Sequence, residues 1–121
     1  MVRNASGFKT QAQLFRALSH PVRLRILDIL SRQEACVCHL SAILRQRQPY
    51  VSQQLGTLRE AGLVIDRRDG TLIYYRLANE HLAHLLDESK TVIQALYGQD
   101  LAFPQEPEEA LENCPCPRCR P

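Results

Sequence analysis

The five cysteines of this 121-residue chain fall into two groups. Cys36 and Cys38 are one residue apart, and Cys114, Cys116 and Cys119 lie within six residues near the C-terminus. Closely spaced thiolates are ligands for soft metal and metalloid ions. The N-terminus lacks the apolar stretch that directs export, so an odd number of cysteines indicates free thiols in a reducing cytoplasm rather than a disulfide framework. The thiols therefore predict an ion site.

A second group of residues suits contact with DNA. The segment 39–59 predicts two short helices joined by R-Q-R-Q-P, and the second carries small polar side chains opposite an apolar face. A helix in the major groove needs hydrogen-bonding side chains and tolerates no carboxylates beside phosphates. For this helix alone, exposure to solvent explains the polar face equally well. The arginines on the following hairpin favour contact with DNA. The residues predicted to contact DNA are Gln48, Tyr50, Ser52, Gln53, Thr57, Arg67 and Arg68.

The apolar periodicity predicts a mainly helical scaffold with one hairpin. The stretches L-V-I-D-R-R and L-I-Y-Y-R-L flank Asp69-Gly70, a strong hairpin signal. A two-stranded ribbon is marginally stable alone, so it must pack on the helices. An arginine-bearing ribbon beside a helix-turn-helix is a winged helix. The helices are expected at about 10–18, from Pro21, at about 37–44, from Pro49 to Gly62 and at about 80–97.

The composition divides the chain into a body, 1–97, and a flexible tail, 98–121. Five of the seven prolines lie in the last 18 residues, which prevents a helix there. The body has thirteen basic and eight acidic residues, a net charge of +5, and the tail has two basic and five acidic residues, a net charge of −3. A basic body fits a polyanionic partner, although a solvated surface explains this charge equally well. The chain has no apolar run of the ~18 residues that a membrane span needs. It also lacks a Ser-His-Asp triad and a glycine-rich phosphate-binding pattern, so we expect that it is not an enzyme.

Three stretches resemble the ArsR/SmtB family of bacterial transcriptional repressors: L-S-H-P-V-R-L-R-I-L, Q-P-Y-V-S-Q-Q-L-G-T-L-R-E-A-G-L-V and R-R-D-G-T-L-I-Y-Y-R-L. The resemblance covers about 14–96 and implies a dimeric winged helix that binds a palindromic operator and leaves it when an inducer binds. The turn between the two helices departs from the family pattern, since Arg45 and Gln46 replace a small and an apolar residue. The residues expected in the dimer interface are Phe15, Leu18, Leu86 and Ile93.

The resemblance also implies an inducer. Arsenic- and cadmium-sensing members carry C-V-C at the place of Cys36 and Cys38, and a common arsenic-type pattern adds a third cysteine where this chain has Ser41. We expect the missing donors from Cys114, Cys116 and Cys119, because the connection from the last helix spans ~23 Å as a flexible chain. Three thiolates suit As(III) or Sb(III), and four suit Cd(II), Pb(II) or Zn(II).

The spacing of the first thiol pair predicts how an ion acts. Residues two apart in a regular helix point ~200° apart. If Cys36 and Cys38 both lie in the first turn of the third helix, one ion holds both only where that turn opens. Ion binding is then expected to unwind this turn and displace the helix that starts at Pro49. The neighbouring His39 is expected to point elsewhere.

Two alternatives to this sensor involve other residues or another signal. Zinc-sensing family members carry four ligands on the last helix, of which this chain matches only His81, so we expect no metal at His81 and His84. A thiol redox or persulfide-sensing repressor that uses the same cysteines is the alternative function. Members of that kind carry a partner cysteine in the last helix, and 80–97 contains none.

Overall fold

The computed structural model describes residues 6–98, 101–104 and 114. This part of the chain forms a mainly helical domain with a small antiparallel sheet, which confirms the predicted fold class. Its helices are α1 (Gly7–Leu18), α2 (Pro21–Leu30), α3 (Val37–Leu44), α4 (Gln48–Glu60) and α5 (Glu80–Tyr97). Its strands are β1 (Ala35–Cys36), β2 (Val64–Asp69) and β3 (Leu72–Leu77).

The core lies where α2, α3 and α4 meet. Ile26, Leu40, Val51, Leu55 and Leu58 are fully buried there. Each such side chain contributes about 1.5–3 kcal/mol through removal from water. The apolar residues of α4 recur at helical spacing, so its opposite face is left to polar side chains. This packing fixes α3 and α4 against each other as a helix-turn-helix.

Helix boundaries follow local caps. The structure begins α1 three residues earlier than expected, since the Ser6 hydroxyl accepts a hydrogen bond from the Lys9 amide at 3.3 Å. The α2 start at Pro21 and the bounds of α3 and α5 are confirmed. The expected end of α4 at Gly62 is two residues late, because the helix ends at Glu60 and Gly62 follows with φ +78°. Within the described residues, no helix is long and apolar enough to cross a bilayer.

The hairpin is present, with its turn one residue later than predicted. Asp69 pairs with Leu72, so Gly70 and Thr71 form the two-residue loop. Gly70 has φ +63°, which suits glycine at the first loop position. A third strand was not predicted: β1 pairs with β3 through Ala35 opposite Tyr75 and Cys36 opposite Tyr74. A strand of two residues has no periodicity that a sequence could reveal.

A charged contact ties α5 to α2. The Asp28 carboxylate accepts hydrogen bonds from Lys90 Nζ at 2.8 Å and from Arg32 Nη2 at 2.9 Å. Burial alone would raise the pKa of Asp28, but the hydrogen bonds and charges of Lys90 and Arg32 outweigh it and hold the pKa below its usual value. The Lys90 ammonium also lies 4.9 Å from the centre of the Phe103 ring. The segment 101–104 therefore packs against the end of the body.

Candidate metal centre and nucleic-acid interface

Three of the five predicted metal ligands come together in the interior. Cys36, Cys38 and Cys114 are all buried, and we call them the thiol cluster. The Sγ atoms of Cys36 and Cys38 are 2.8 Å apart, and Cys114 Sγ lies 3.7 Å from Cys38 Sγ. All three sulfurs lie within 4.8 Å of one another. Sulfurs that share a tetrahedral zinc are ~3.8 Å apart, from Zn–S bonds of ~2.3 Å. The distance between Cys38 and Cys114 matches this spacing, and the distance between Cys36 and Cys38 is shorter than it.

The backbone at Cys36 explains why the first two thiols meet. Cys36 is the N-cap of α3, with extended φ −85° and ψ 165°, and it also forms β1 with Ala35. Cys38 lies inside the helix. The ~200° divergence that holds within a helix therefore does not apply to this pair. The expectation that one ion can hold both thiols only after the first turn unwinds is wrong, because the helix is intact with both sulfurs together.

His39 on α3 lies beside this site. It is 3% exposed, and its Nδ1 atom lies 3.8 Å from Cys114 Sγ. The expectation that His39 points elsewhere is wrong, because a residue 75 positions away supplies the partner. The Ser41 hydroxyl is buried with no hydrogen-bond partner in the described structure. A third thiol is thus present, supplied by Cys114 rather than by position 41.

The tail is described only in part. Its described residues are Gly98, 101–104 and Cys114. Cys116 and Cys119 lie outside the described residues, as does most of the predicted flexible tail 98–121. Their place in the ion site remains a prediction from the sequence.

The predicted reading face of α4 lies on the surface. Val51, Leu55 and Leu58 are fully buried on the opposite face. Tyr50 is half-buried at the edge between the two faces. Between Gln48 and Arg59 the helix carries no acidic residue, and the exposed Glu60 is its last residue. The exposed residues predicted to contact DNA on this helix are Gln48, Ser52, Gln53 and Thr57.

Side-chain hydrogen bonds hold α4 against α2. Arg23 Nη1 donates to Gln54 Oε1 at 3.1 Å, and the same guanidinium donates to the carbonyl oxygen of Ala17 at the end of α1. One turn earlier on each helix, His20 Nε2 lies 3.3 Å from the Tyr50 hydroxyl. The reading helix is thereby fixed to the corner between α1 and α2.

The two predicted wing arginines differ in their contacts. Arg67 makes a bidentate pair with Glu34, one arm at 3.0 Å, and its guanidinium lies 4.6 Å from the Tyr74 ring centre. Hydrogen bonding to Glu34 raises the pKa of Arg67 further above its usual value. Arg68 is exposed and has no ion pair among the described residues. Arg68 is therefore the wing arginine more available to a phosphate.

The wing and the thiol cluster are connected through β3. Cys36 pairs with Tyr74 in the sheet, and Tyr74 also packs against the thiol cluster. The Arg67 guanidinium lies over the ring of Tyr74. Glu34, which pairs with Arg67, is the residue immediately before β1. A displacement of Cys36 would therefore reach the wing through two contacts.

The histidines of α5 contrast with the thiol cluster. His81 and His84 are both exposed, with their rings edge to face at a centroid distance of 6.1 Å. Within the described residues, the thiol cluster is the one group of three or more Cys, His, Asp or Glu side chains placed to share an ion.

An apolar surface covers parts of α1 and α5. Leu18 and Leu86 were expected in a dimer interface, but they are buried in the core of a single chain, so this prediction is wrong for both. Phe15 is exposed and Ile93 half-buried, as an interface would require. Leu18 and Leu86 both belong to the main hydrophobic core cluster instead. The large apolar side chains left exposed on these two helices are Phe8, Phe15, Val92, Leu96 and Tyr97.

Comparison with known proteins identifies the relatives of this chain. A family model described as bacterial regulatory protein, arsR family, matches residues 20–66, from the α2 cap into β2. The arsenical resistance operon repressor of Escherichia coli is 41% identical over 88 residues, which are 69% of this chain and 74% of that protein.

A second relative and a solved structure agree with this match. The transcriptional repressor SmtB homolog of Synechocystis sp. is 46% identical over 77 residues, which are 64% of this chain and 58% of that protein, less than two thirds of its length. The solution structure of a homodimeric winged helix-turn-helix DNA-binding domain from Mycobacterium bovis superposes with a TM-score of 0.69 at 29% identity. That match covers 85% of this chain and all of the M. bovis domain. These likenesses confirm the winged-helix fold.

Proposed function

Since the chain belongs to the ArsR family of bacterial regulatory proteins, we propose that it is a transcriptional repressor induced by a thiophilic ion. The observation that carries this proposal is the convergence of three buried thiols from distant parts of the chain, Cys36 and Cys38 at the start of α3 and Cys114 in the tail. In this proposal the body 1–97 binds DNA, and the tail 98–121 completes the ion site. The protein works in the cytoplasm, where thiols stay reduced.

The DNA-binding form is a homodimer. The exposed apolar residues of α1 and α5, including Phe15 and Leu96, supply an interface that would otherwise face water. Two copies place two reading helices on one palindromic operator, about one turn of DNA apart. Gln48, Ser52, Gln53 and Thr57 contact base edges, and Arg68 contacts phosphate. The relative from M. bovis is described as a homodimer, which supports this assembly.

The ion class follows from the donor set. Soft, buried sulfur donors favour soft ions over magnesium or calcium. The thiol cluster alone offers three thiolates, which suit As(III) or Sb(III). A fourth donor from Cys116 or Cys119 would extend the site to Cd(II), Pb(II) or Zn(II). The E. coli relative is named for arsenical resistance, which supports the metalloid.

Induction acts through contacts that the thiol cluster already makes. An ion held by Cys36, Cys38 and Cys114 restrains β1, the start of α3 and the tail together. From there α3 packs on α4, and Tyr74 links Cys36 to Arg67 on the wing. A ligand shifts affinity only as far as it favours one arrangement of these elements over the other. Unwinding of α3 is not required.

One observation favours a second function, a thiol redox switch. The Cys36 and Cys38 sulfurs are 2.8 Å apart, so an oxidant would find a thiol pair already together. The two functions differ in how the number of reduced thiols responds to metal and to oxidant. A metal sensor keeps its thiols reduced and protects them when the ion is bound, whereas a redox switch loses thiols in pairs under mild oxidation.

The test of this proposal is DNA binding by the full chain with and without an ion. A duplex selected from a random library by the reduced protein serves as the probe. We expect a dimer bound to that duplex with steep salt dependence, and release on addition of As(III) that a thiol chelator reverses. Recovery of no preferred duplex, or release by mild oxidant but by no thiophilic ion, would contradict the proposed function.

A further inference from the structure

His20 makes two hydrogen bonds that fix its ring. It is the N-cap of α2, and its Nδ1 atom accepts a hydrogen bond from the Val22 amide at 3.2 Å. Its Nε2 atom lies 3.3 Å from the Tyr50 hydroxyl, and the two rings are tilted with centroids 6.5 Å apart. The same side chain therefore contacts the start of α2 and the first turn of the reading helix.

The first of these bonds sets the direction of the second. In a neutral imidazole one nitrogen accepts and the other carries the proton. Since Nδ1 accepts from a backbone amide, the proton lies on Nε2, which donates to the oxygen of Tyr50. The hydroxyl hydrogen of Tyr50 is then left to donate to a different acceptor. A hydroxyl held in this way needs no reorientation when that acceptor arrives.

The place of Tyr50 on α4 indicates what the acceptor is. At 100° per residue, Tyr50 lies 60° from Gln53, which is exposed, and 40° from Gln54, which is buried. Tyr50 therefore lies at the edge of the reading face, next to the buried face of the helix and away from the centre of the reading face. When a helix enters the major groove, residues at its border face the DNA backbone, where hydroxyl and amide donors bind phosphate oxygens.

We infer that His20 holds Tyr50 as a hydrogen-bond donor to a backbone phosphate of the operator, an inference that rests on the proposed DNA-binding function. Tyr50 is the contacting residue and His20 is a positioning residue. The Tyr50 hydroxyl carries no charge, so its contact with a phosphate adds affinity without releasing counterions. It carries no base information and acts equally on every operator variant.

Two substitutions separate the roles of His20. Tyr50→Phe removes the hydroxyl and keeps the ring. His20→Asn keeps the N-cap, because asparagine is a favoured cap, but its side chain is too short to reach Tyr50. Using the duplex selected by the parent protein, we expect Tyr50→Phe to weaken binding about 10- to 150-fold per protomer, the range for one hydrogen bond to a charged group. His20→Asn should weaken binding by no more than this, and the double variant should bind as Tyr50→Phe does.

The dependence of the binding affinity on salt and on operator sequence identifies the acceptor. The slope of log affinity against log salt should be the same for Tyr50→Phe and the parent, and the loss should be uniform across operator variants. Thr91→Val, which removes an exposed hydroxyl from α5, is the matched control and should bind normally. Thermal unfolding should show that each variant is folded.

Three results would overturn the inference. Parent-like binding by Tyr50→Phe would exclude the contact, and a loss confined to one base position would make it a base contact. Independent losses that multiply in the double variant would show that His20 does not act through Tyr50. In each of these cases the parent still binds DNA and still releases it with As(III), so the proposed function stands. A parent that selects no duplex overturns both.

Discussion

The first turns of α3 and α4 share a backbone arrangement and differ in their surroundings. Each helix follows an extended N-cap residue, Cys36 with φ −85° and ψ 165° and Arg47 with φ −68° and ψ 142°. Neither cap side chain bonds the helix amides. The start of α3 is buried beneath Tyr74 and Cys114 and carries thiols, whereas the start of α4 is exposed and carries polar side chains.

This difference shows how one backbone device serves two kinds of ligand. An extended cap followed by a helix brings residues of the cap and first turn to one side. Where those residues are buried sulfurs, the arrangement suits a soft ion, and where they are exposed amides and hydroxyls, it suits DNA. The turn that joins the helices ends α3 at Arg45, with φ 55°. Because the two starts use different side chains, substitutions should separate ion response from DNA binding.

The sharpest separation is expected from Cys38→Ser. Serine keeps the size of the side chain and removes a sulfur donor, so the ion site loses the thiol nearest to both of its partners. DNA binding should be unchanged, and release by As(III) should be lost. For a coupling of ~3 kcal/mol this abolishes a ~150-fold change in DNA affinity. Fluorescence anisotropy of a labelled duplex during As(III) titration measures it, and release at parent concentrations would contradict the shared site.

Substitutions on the DNA-binding surface should have the opposite effect, in that DNA binding changes while ion affinity does not. Gln53→Ala should relax base preference by ~1–3 kcal/mol at one position. Arg68→Ala should weaken all sequences alike and reduce the salt slope by about one charge per protomer. Arg67→Ala should have a smaller effect, because Glu34 already neutralises that guanidinium. Ion affinity should stay at the parent value in all three variants. Identical behaviour of Gln53→Ala and Arg68→Ala across operator variants would refute the division of roles.

The tail should shift the ion response without affecting DNA binding. Truncation after Asp100 removes Cys114 and leaves two thiolates, so release should need at least about tenfold more As(III), because losing a direct ligand costs at least as much as losing an outer-shell partner. Within the full chain, Cys114→Ser should reproduce most of this shift, and Cys119→Ser is the matched control for loss of a tail thiol. Release curves that coincide for the full and truncated chains would assign the tail thiols to a separate site.

The smallest effect concerns the tie between α2 and α5, which is remote from both helix starts. Asp28 has a lowered pKa, so its stabilising contribution is present at neutral pH and is lost as the carboxylate is protonated. Asp28→Asn should reduce the free energy of unfolding by ~1 kcal/mol at pH 7. The difference from the parent should vanish as the pH falls below about 4. Chemical denaturation across pH measures this, Glu88→Gln is the control, and a difference that persists in acid would exclude the ion pair as the cause.

The sequence predicted those elements that have strong local signals. Pro21 marks the start of α2, the apolar spacing of 80–97 matches α5, and arginines around Asp69-Gly70 predict the wing. The apolar periodicity of α1 and α5 could not distinguish residues that pack in the core of their own chain from residues that face outward. Leu18 faces the core of its own chain, whereas Phe15, three residues earlier, faces outward. Only the packing of α1 on its neighbours decides which of them is available to a partner.

The thiol site was predictable in its members more than in its geometry. The pairing of Cys36 and Cys38 with a tail thiol followed from the number of donors an ion needs. The extended conformation of Cys36 did not, because it depends on β1, and β1 forms only where β3 offers a partner. The approach of His39 to Cys114 depends on a contact between residues 75 positions apart, for which the sequence holds no local signal.

The proposed site holds one ion that is shared between the body and the tail. Arsenic K-edge X-ray absorption counts the sulfur neighbours of As(III) bound at one equivalent to the full chain and to the variant that combines Cys36→Ser with Cys38→Ser. The shared site predicts three sulfur neighbours in the full chain and loss of three-sulfur coordination in the double variant. Three sulfur neighbours in both proteins would place the ion on Cys114, Cys116 and Cys119 alone and contradict the account.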